Sequence, residues 1–171
     1  MNDIVLITAD SVRYDYIEEM EFLSGYQTQS GTTVGHYTRP SLAGLLSSQY
    51  QATMKSAVTG PTIPEVMSNA GYTTIGLAPS PQLDEVFNFN QGFDKYENFV
   101  DAGNRGSNRR EILGQFDILR KVYHRFFPPH AKMSDLPTDK AVVEQAVEQF
   151  NEASGPRFMW VHLMGSHRPY G

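Results

Sequence analysis

Three short apolar runs, two of which end abruptly in polar residues, constrain the fold more than any other feature. The first is Ile4-Val5-Leu6-Ile7-Thr8, closed by Asp10-Ser11. The second is Tyr72-Thr73-Thr74-Ile75-Gly76-Leu77, and the third is Phe158-Met159-Trp160-Val161-His162-Leu163, which leads into Gly165-Ser166-His167. Runs this short, rich in β-branched residues and without strict alternation, predict strands of a parallel sheet covered on both faces. Ile4 to Thr8 is expected to be buried on both sides, at the centre of the sheet. Ligand groups in open α/β sheets gather beyond the carboxyl ends of strands, so the polar residues there are candidate site residues.

The segments between these runs read as helices and loops. Residues 14 to 23 predict a short helix with Tyr14, Ile17 and Phe22 towards the core, and residues 24 to 37, rich in Gly, Ser and Thr, a loop. Pro40 suits the first turn of a helix beginning near Thr38, where its missing N–H costs nothing. Gly44 weakens that helix slightly but permits close packing. Thr62 to Ala70 predicts a helix closed by Gly71, and Pro79 to Phe99 reads as loop. Residues 109 to 127 predict an amphipathic helix stopped by Pro128-Pro129. Thr138-Asp139 caps a further helix, Lys140 to Glu152, with Val142, Val143, Ala146, Val147 and Phe150 on one face. The expected fold class is α/β, with a mostly parallel central sheet and flanking helices, incomplete at the C-terminus. The chain stops just past a strand, which suggests truncation.

The 171 residues suit one domain, and 40% are hydrophobic, enough to bury a core. A net charge of -5 excludes the basic excess of a nucleic-acid footprint. No cysteine is present, which removes disulfides and thiolate chemistry together. No apolar run reaches the length of a membrane span, and the start lacks the basic residues and long apolar stretch of a signal peptide. The expected setting is soluble and cytoplasmic.

Asp10, the segment Thr38 to Ser41, and His167 form a chemically coherent set. A carboxylate offers oxygen to a hard or borderline divalent cation. A threonine hydroxyl needs activation before it attacks. The amides opening the helix after Thr38 favour an anion, and a histidine contacts an anionic oxygen or delivers a proton. Taken singly, each is weak: an acid after a strand is as often a turn or cap residue, and Thr38 before Arg-Pro reads equally as a cap. His162, inside its strand, is expected to be a core or interface histidine. His36, His124 and His130 have no partner pattern. Asp15 reads as a surface or capping acid.

Read together, the segments resemble sulfatases of the alkaline phosphatase superfamily. Asp3 to Asp15 is similar to the opening strand and metal-binding acid of that family. Thr38-Arg39-Pro40-Ser41-Leu42-Ala43-Gly44-Leu45-Leu46-Ser47-Ser48 resembles the segment that holds the nucleophile. Pro64 to Thr74 resembles the next helix, turn and strand, and Gln91-Gly92-Phe93-Asp94-Lys95-Tyr96 the Gly-Phe-Asp loop. Phe158 to Leu163 with His167-Arg168-Pro169-Tyr170 resembles the strand and His-x-Pro-Tyr turn midway through the domain. The match covers nearly the whole chain in the right order, so residues 1–171 are read as the N-terminal part of one sulfatase-like catalytic domain.

The resemblance implies a metal-dependent hydrolase or transferase of small-molecule sulfate or phosphate esters. Asp10 and Thr38 would be ligands of a divalent cation (Ca, Mg, Mn or Zn), Thr38 the nucleophile, and Arg39 and His167 substrate contacts, with His167 also catalytic. In sulfatases proper the nucleophile position holds Cys or Ser, converted to formylglycine; Thr38 cannot give that aldehyde by the same chemistry, so no formylglycine is expected. Threonine nucleophiles in the superfamily resemble those of phosphodiesterases and phosphoryl or phosphoethanolamine transferases. Leu42 stands where the family keeps an arginine, a charge Arg39 could partly replace. The family's later metal pair is absent from this sequence. The alternative is therefore an inactive sulfatase-like remnant or interaction domain, a possible homo-oligomer that buries an open sheet edge.

Overall fold

The computed structural model describes residues 1–99, except Ser24 and Thr28, and residues 136–167. The helix expected over 109 to 127 and the turn Arg168-Pro169-Tyr170 lie outside the described residues. Four strands, β1 (Ile4–Ala9), β2 (Thr73–Leu77), β3 (Lys95–Glu97) and β4 (Arg157–Leu163), form one sheet in the order β1-β4-β2-β3. Every neighbouring pair is parallel. On one face lie α1 (Thr38–Ser47), α2 (Tyr50–Lys55) and α3 (Ile63–Asn69); on the other lies α4 (Asp139–Glu152). The expected α/β class and parallel sheet hold.

Side-chain alternation divides the sheet between two cores. Phe158 and Trp160 of β4 join Leu42, Ala43 and Leu46 of α1 on one face. Met159 and Val161 join Ile75, Leu77 and the α4 residues Val142 and Ala146 on the other. An ideal Cβ at Gly44 would collide with Thr53 Oγ1 and stand 2.6 Å from Val34 Cγ2, so the missing side chain lets α2 lie against α1. Local signals set the helix ends. Thr62 Oγ1 accepts from Glu65 N at 3.2 Å, and Glu65 Oε2 accepts from Thr62 N at 2.9 Å, a reciprocal cap that satisfies two otherwise orphan donors. Gly71, at φ +87°, follows α3 in the left-handed region. Thr138 Oγ1 caps α4.

Four expectations change. β1 is an edge strand, paired only with β4 among the described residues, and Val5 and Ile7 are 51% and 62% exposed. Its composition resembles a central strand, but no described helix covers its Val5 and Ile7 face. Phe22 is exposed, because residues 14 to 23 form two short 3-10 turns, Tyr14–Glu19 and Glu21–Leu23, instead of one amphipathic helix. β3 lies inside the stretch read as loop; its three residues carry no periodic signal and are strand only because Lys95 to Glu97 pair with Ile75 to Leu77. On α4, Val142 and Ala146 are buried while Val143 and Val147 are exposed. Gln145 bonds to Glu97 of β3, which leaves the two valines on the opposite flank, towards β1.

Candidate functional site

Asp10 and Thr38 meet. Asp10 follows β1 directly, and its N–H donates to Leu163 O at 2.9 Å, carrying the parallel ladder one step past the strand. Ser11 follows at φ +59°, an uncommon conformation for a residue with a Cβ, and its Oγ donates to Asp10 Oδ1 at 2.9 Å. Thr38 is the first residue of α1. Its Oγ1 donates to Asp10 Oδ2 at 2.6 Å, a short bond of the charge-assisted kind. Two residues 28 apart in sequence thus share one hydrogen bond at the carboxyl end of the sheet.

The N-cap residue of α1, Tyr37, makes no side-chain cap, so its opening amides are not met by a capping side chain. The loop after β4 closes the site from the other side: Ser166 Oγ donates to Asp10 O, and His167 N donates to Met164 O at 2.9 Å. His167 is thereby placed in the turn that carries the Ser166 anchor. The guanidinium of Arg39 stacks over the Phe87 ring at 3.5 Å, and its Nε donates to Gln82 O at 3.3 Å, past the end of β2. Leu42, where the family pattern has an arginine, is buried in the core. Asp15 pairs with Arg13 on the surface.

His162, expected to be a core or interface histidine, is buried, but it also stands beside Asp10. Register pairs it with Thr8, and Thr8 Oγ1 lies 2.9 Å from its Nδ1. Its Nε2 lies 3.6 Å from Asp10 Oδ2, beyond a formed hydrogen bond but in close electrostatic contact. The ring is 1% exposed. The signal was present: Thr8 and His162 are each a polar residue near the carboxyl end of an apolar run. Their adjacency needed the strand order.

Burial alone would raise the Asp10 carboxyl above its ordinary value of 3.8, but the His162 ring and the hydroxyls of Thr38 and Ser11 outweigh it and hold the group well below. A carboxylate so held is a weak base and a ready hydrogen-bond acceptor or cation ligand. It also contributes stability that is present above pH 3.8 and lost as the pH falls towards the depressed folded value. Unfolding free energies of wild type and Asp10→Asn, measured against pH, are expected to differ most above that point and to converge in acid. A constant difference would remove the linkage.

The donors suit a divalent cation in type: an anionic carboxylate and a hydroxyl beside it. They fall short in number, since no cluster of three or more His, Cys, Asp or Glu is assembled among the described residues. A complete shell needs donors from outside them.

The described residues form a parallel α/β sheet between helix layers, with an acid after its first strand and a hydroxyl at the head of α1. The sulfatase family model matches residues 2–171, and the chain belongs to that family. A search of curated proteins returned no match. Among solved structures, the C-terminal periplasmic domain of EcEptC from Escherichia coli is similar at 17% identity and TM-score 0.62, over 99% of this chain and 44% of that one. A second structure of that domain, in complex with Zn, gives 17% identity and TM-score 0.56, over 99% and 45%. A protein in the alkaline phosphatase superfamily from Vibrio parahaemolyticus gives 17% and 0.63, over 99% and 42%. The chain spans less than half the length of these structures. No helix among the described residues is long and apolar enough to cross a membrane.

Proposed function

We propose that this chain carries the nucleophile half of a metal-dependent hydrolase or transferase of phosphate esters, with Thr38 as the attacking residue. The observation that carries the reading is the 2.6 Å bond from Thr38 Oγ1 to Asp10 Oδ2 at the head of α1. Asp10 and Thr38 would hold a divalent cation, Ca, Mg, Mn or Zn. Such a cation, when bound, lowers the pKa of a coordinated hydroxyl and neutralises charge on the ester oxygens. Thr38 Oγ1 forms a bond to phosphorus as the bond to the leaving-group oxygen breaks. The hydroxyl proton lies on the side of Asp10, a carboxylate too weakly basic to keep it, and is released to solvent water, while the departing oxygen leaves as an anion or takes a proton from water. The phosphoryl group then passes from Thr38 to water or an alcohol, which restores the hydroxyl. The opening amides of α1 favour the anionic group throughout. His167 and Arg39 are proposed substrate contacts, Arg39 only if its guanidinium leaves the Phe87 ring.

A threonine at position 38 favours phosphate over sulfate, because formylglycine chemistry is closed to it. The test compares aryl phosphate, phosphodiester and aryl sulfate with Mn²⁺, Mg²⁺, Ca²⁺ and Zn²⁺ in turn. Metal-dependent release from a phosphate ester, with phosphate trapped on Thr38 by mass spectrometry, supports the reading. Turnover that survives Thr38→Ala ends it.

One observation favours a second reading, an inactive domain that associates through its open edge. Val5 and Ile7 of β1 and Val143 and Val147 of α4 are all exposed. Sedimentation would then show a homodimer that Ile7→Lys dissociates; a monomer at all concentrations argues against it.

A further inference from the structure

Trp160 Nε1 is a donor only, and it donates to Thr8 Oγ1 at 3.0 Å. The Thr8 hydroxyl accepts that bond, so its own proton is free to go to the other neighbour, His162 Nδ1, at 2.9 Å. Nδ1 is then an acceptor. When the imidazole carries a single proton, that proton sits on Nε2, the nitrogen 3.6 Å from Asp10 Oδ2. Among the described residues, the buried Nε2 has no hydrogen-bond partner. An orphan buried donor costs about 1–3 kcal/mol, and the carboxylate oxygen 3.6 Å away is the acceptor that could relieve that cost. Hydrogen bonds at reacting groups are often long before the ligand arrives and tighten with it.

We infer that His162 is a positioning residue for Asp10, its ring held by Thr8 and Trp160 so that Nε2–H faces the carboxylate oxygen that receives Thr38. The relay runs from the centre of the core to the reacting pair: Trp160 to Thr8, Thr8 to His162, His162 to Asp10, with Thr38 on the same oxygen. Each link is rigid. Trp160 is fully buried against Phe89 and Phe93, and Thr8 and His162 are register partners in adjacent strands. Carboxylates that bind cations are commonly oriented by outer donors of this kind. Among the described residues, the Asp10 carboxylate otherwise accepts only from the hydroxyls of Ser11 and Thr38.

The inference rests on Asp10 and Thr38 being the reacting pair, and two measurements separate its failure from the failure of that reading. Long-range ¹⁵N–¹H NMR of the whole chain is expected to show His162 as the Nε2–H tautomer, and Thr8→Val to admit the Nδ1–H form. An Nδ1–H ring in the wild type overturns the relay whatever the activity. Calorimetric titration with Mn²⁺ is expected to show affinity weakened about 10- to 100-fold in His162→Phe. In His162→Gln, whose amide can place an N–H near the Nε2 position, affinity should stay within about 3-fold, and this variant remains informative if the phenylalanine variant does not fold. Equal affinity in His162→Phe overturns the positioning role. So does a glutamine variant as weak as phenylalanine with loss of the Nε2 proton on Mn²⁺ addition, which would make His162 a ligand. If the wild type takes up no Mn²⁺, the metal reading of the site fails, and the tautomer alone decides the relay.

Discussion

Thr38→Ala is expected to lower ester turnover by on the order of 10³-fold or more while leaving the fold intact. The asymmetry follows from where the side chain sits. Thr38 is half-buried at the start of α1, and its hydroxyl makes one described hydrogen bond, to Asp10. Removing it takes away the proposed nucleophile and the hydrogen bond it donates to Asp10, but no core contact, since Tyr37 as N-cap and Leu42, Ala43 and Leu46 as core anchors remain. Helix propensity even improves slightly at that position. Thr38→Ser keeps the oxygen and is expected to retain much of the activity. The measurement is kcat with the active metal for the three proteins, beside their thermal midpoints. A large fall in midpoint for Thr38→Ala would show that the residue serves the fold more than the reaction.

Trp160→Ala is expected to have the largest effect on stability, about 3–5 kcal/mol. Trp160 lies in the central strand β4 and is 0% exposed. Its ring stacks near Phe93 at 6.0 Å, Phe89 at 6.4 Å and Tyr96 at 6.5 Å, and its Nε1 bonds to Thr8. Truncation opens a cavity among rings that cannot collapse together, and it leaves the Thr8 hydroxyl short of a donor. The whole chain contains one tryptophan, so fluorescence reports this site alone. Emission of the native wild type is expected to be blue-shifted and to move red on unfolding. Urea unfolding followed by circular dichroism compares the two proteins. A loss below about 1 kcal/mol would mean that the aromatic cluster is less tightly packed than its geometry indicates.

Three strands, the helix headed by Thr38 and the capped helices were legible because each rests on local signals. Ile4 to Thr8, Tyr72 to Leu77 and Phe158 to Leu163 are apolar runs of strand length, and Thr62, Gly71 and Thr138 are punctuation whose chemistry acts within a few residues. Asp10 and Thr38 were legible for a related reason: each stands at a junction where an element ends or begins, and colinear family motifs joined them. β3 was not legible, because three residues become strand only through the ladder that β2 offers.

By itself, then, the sequence determined the α/β class, the parallel strands, the helix headed by Thr38, and an acid and a hydroxyl at element ends. Only the tertiary structure decided that β4 enters between β1 and β2, that β1 is an edge among the described residues, and that His162 stands beside Asp10. The physical reason is range. Periodicity and caps act over a few residues, whereas strand order is set by crossovers that bring residue 8 to residue 162. A histidine in an apolar run carries no local mark of the carboxylate it will meet.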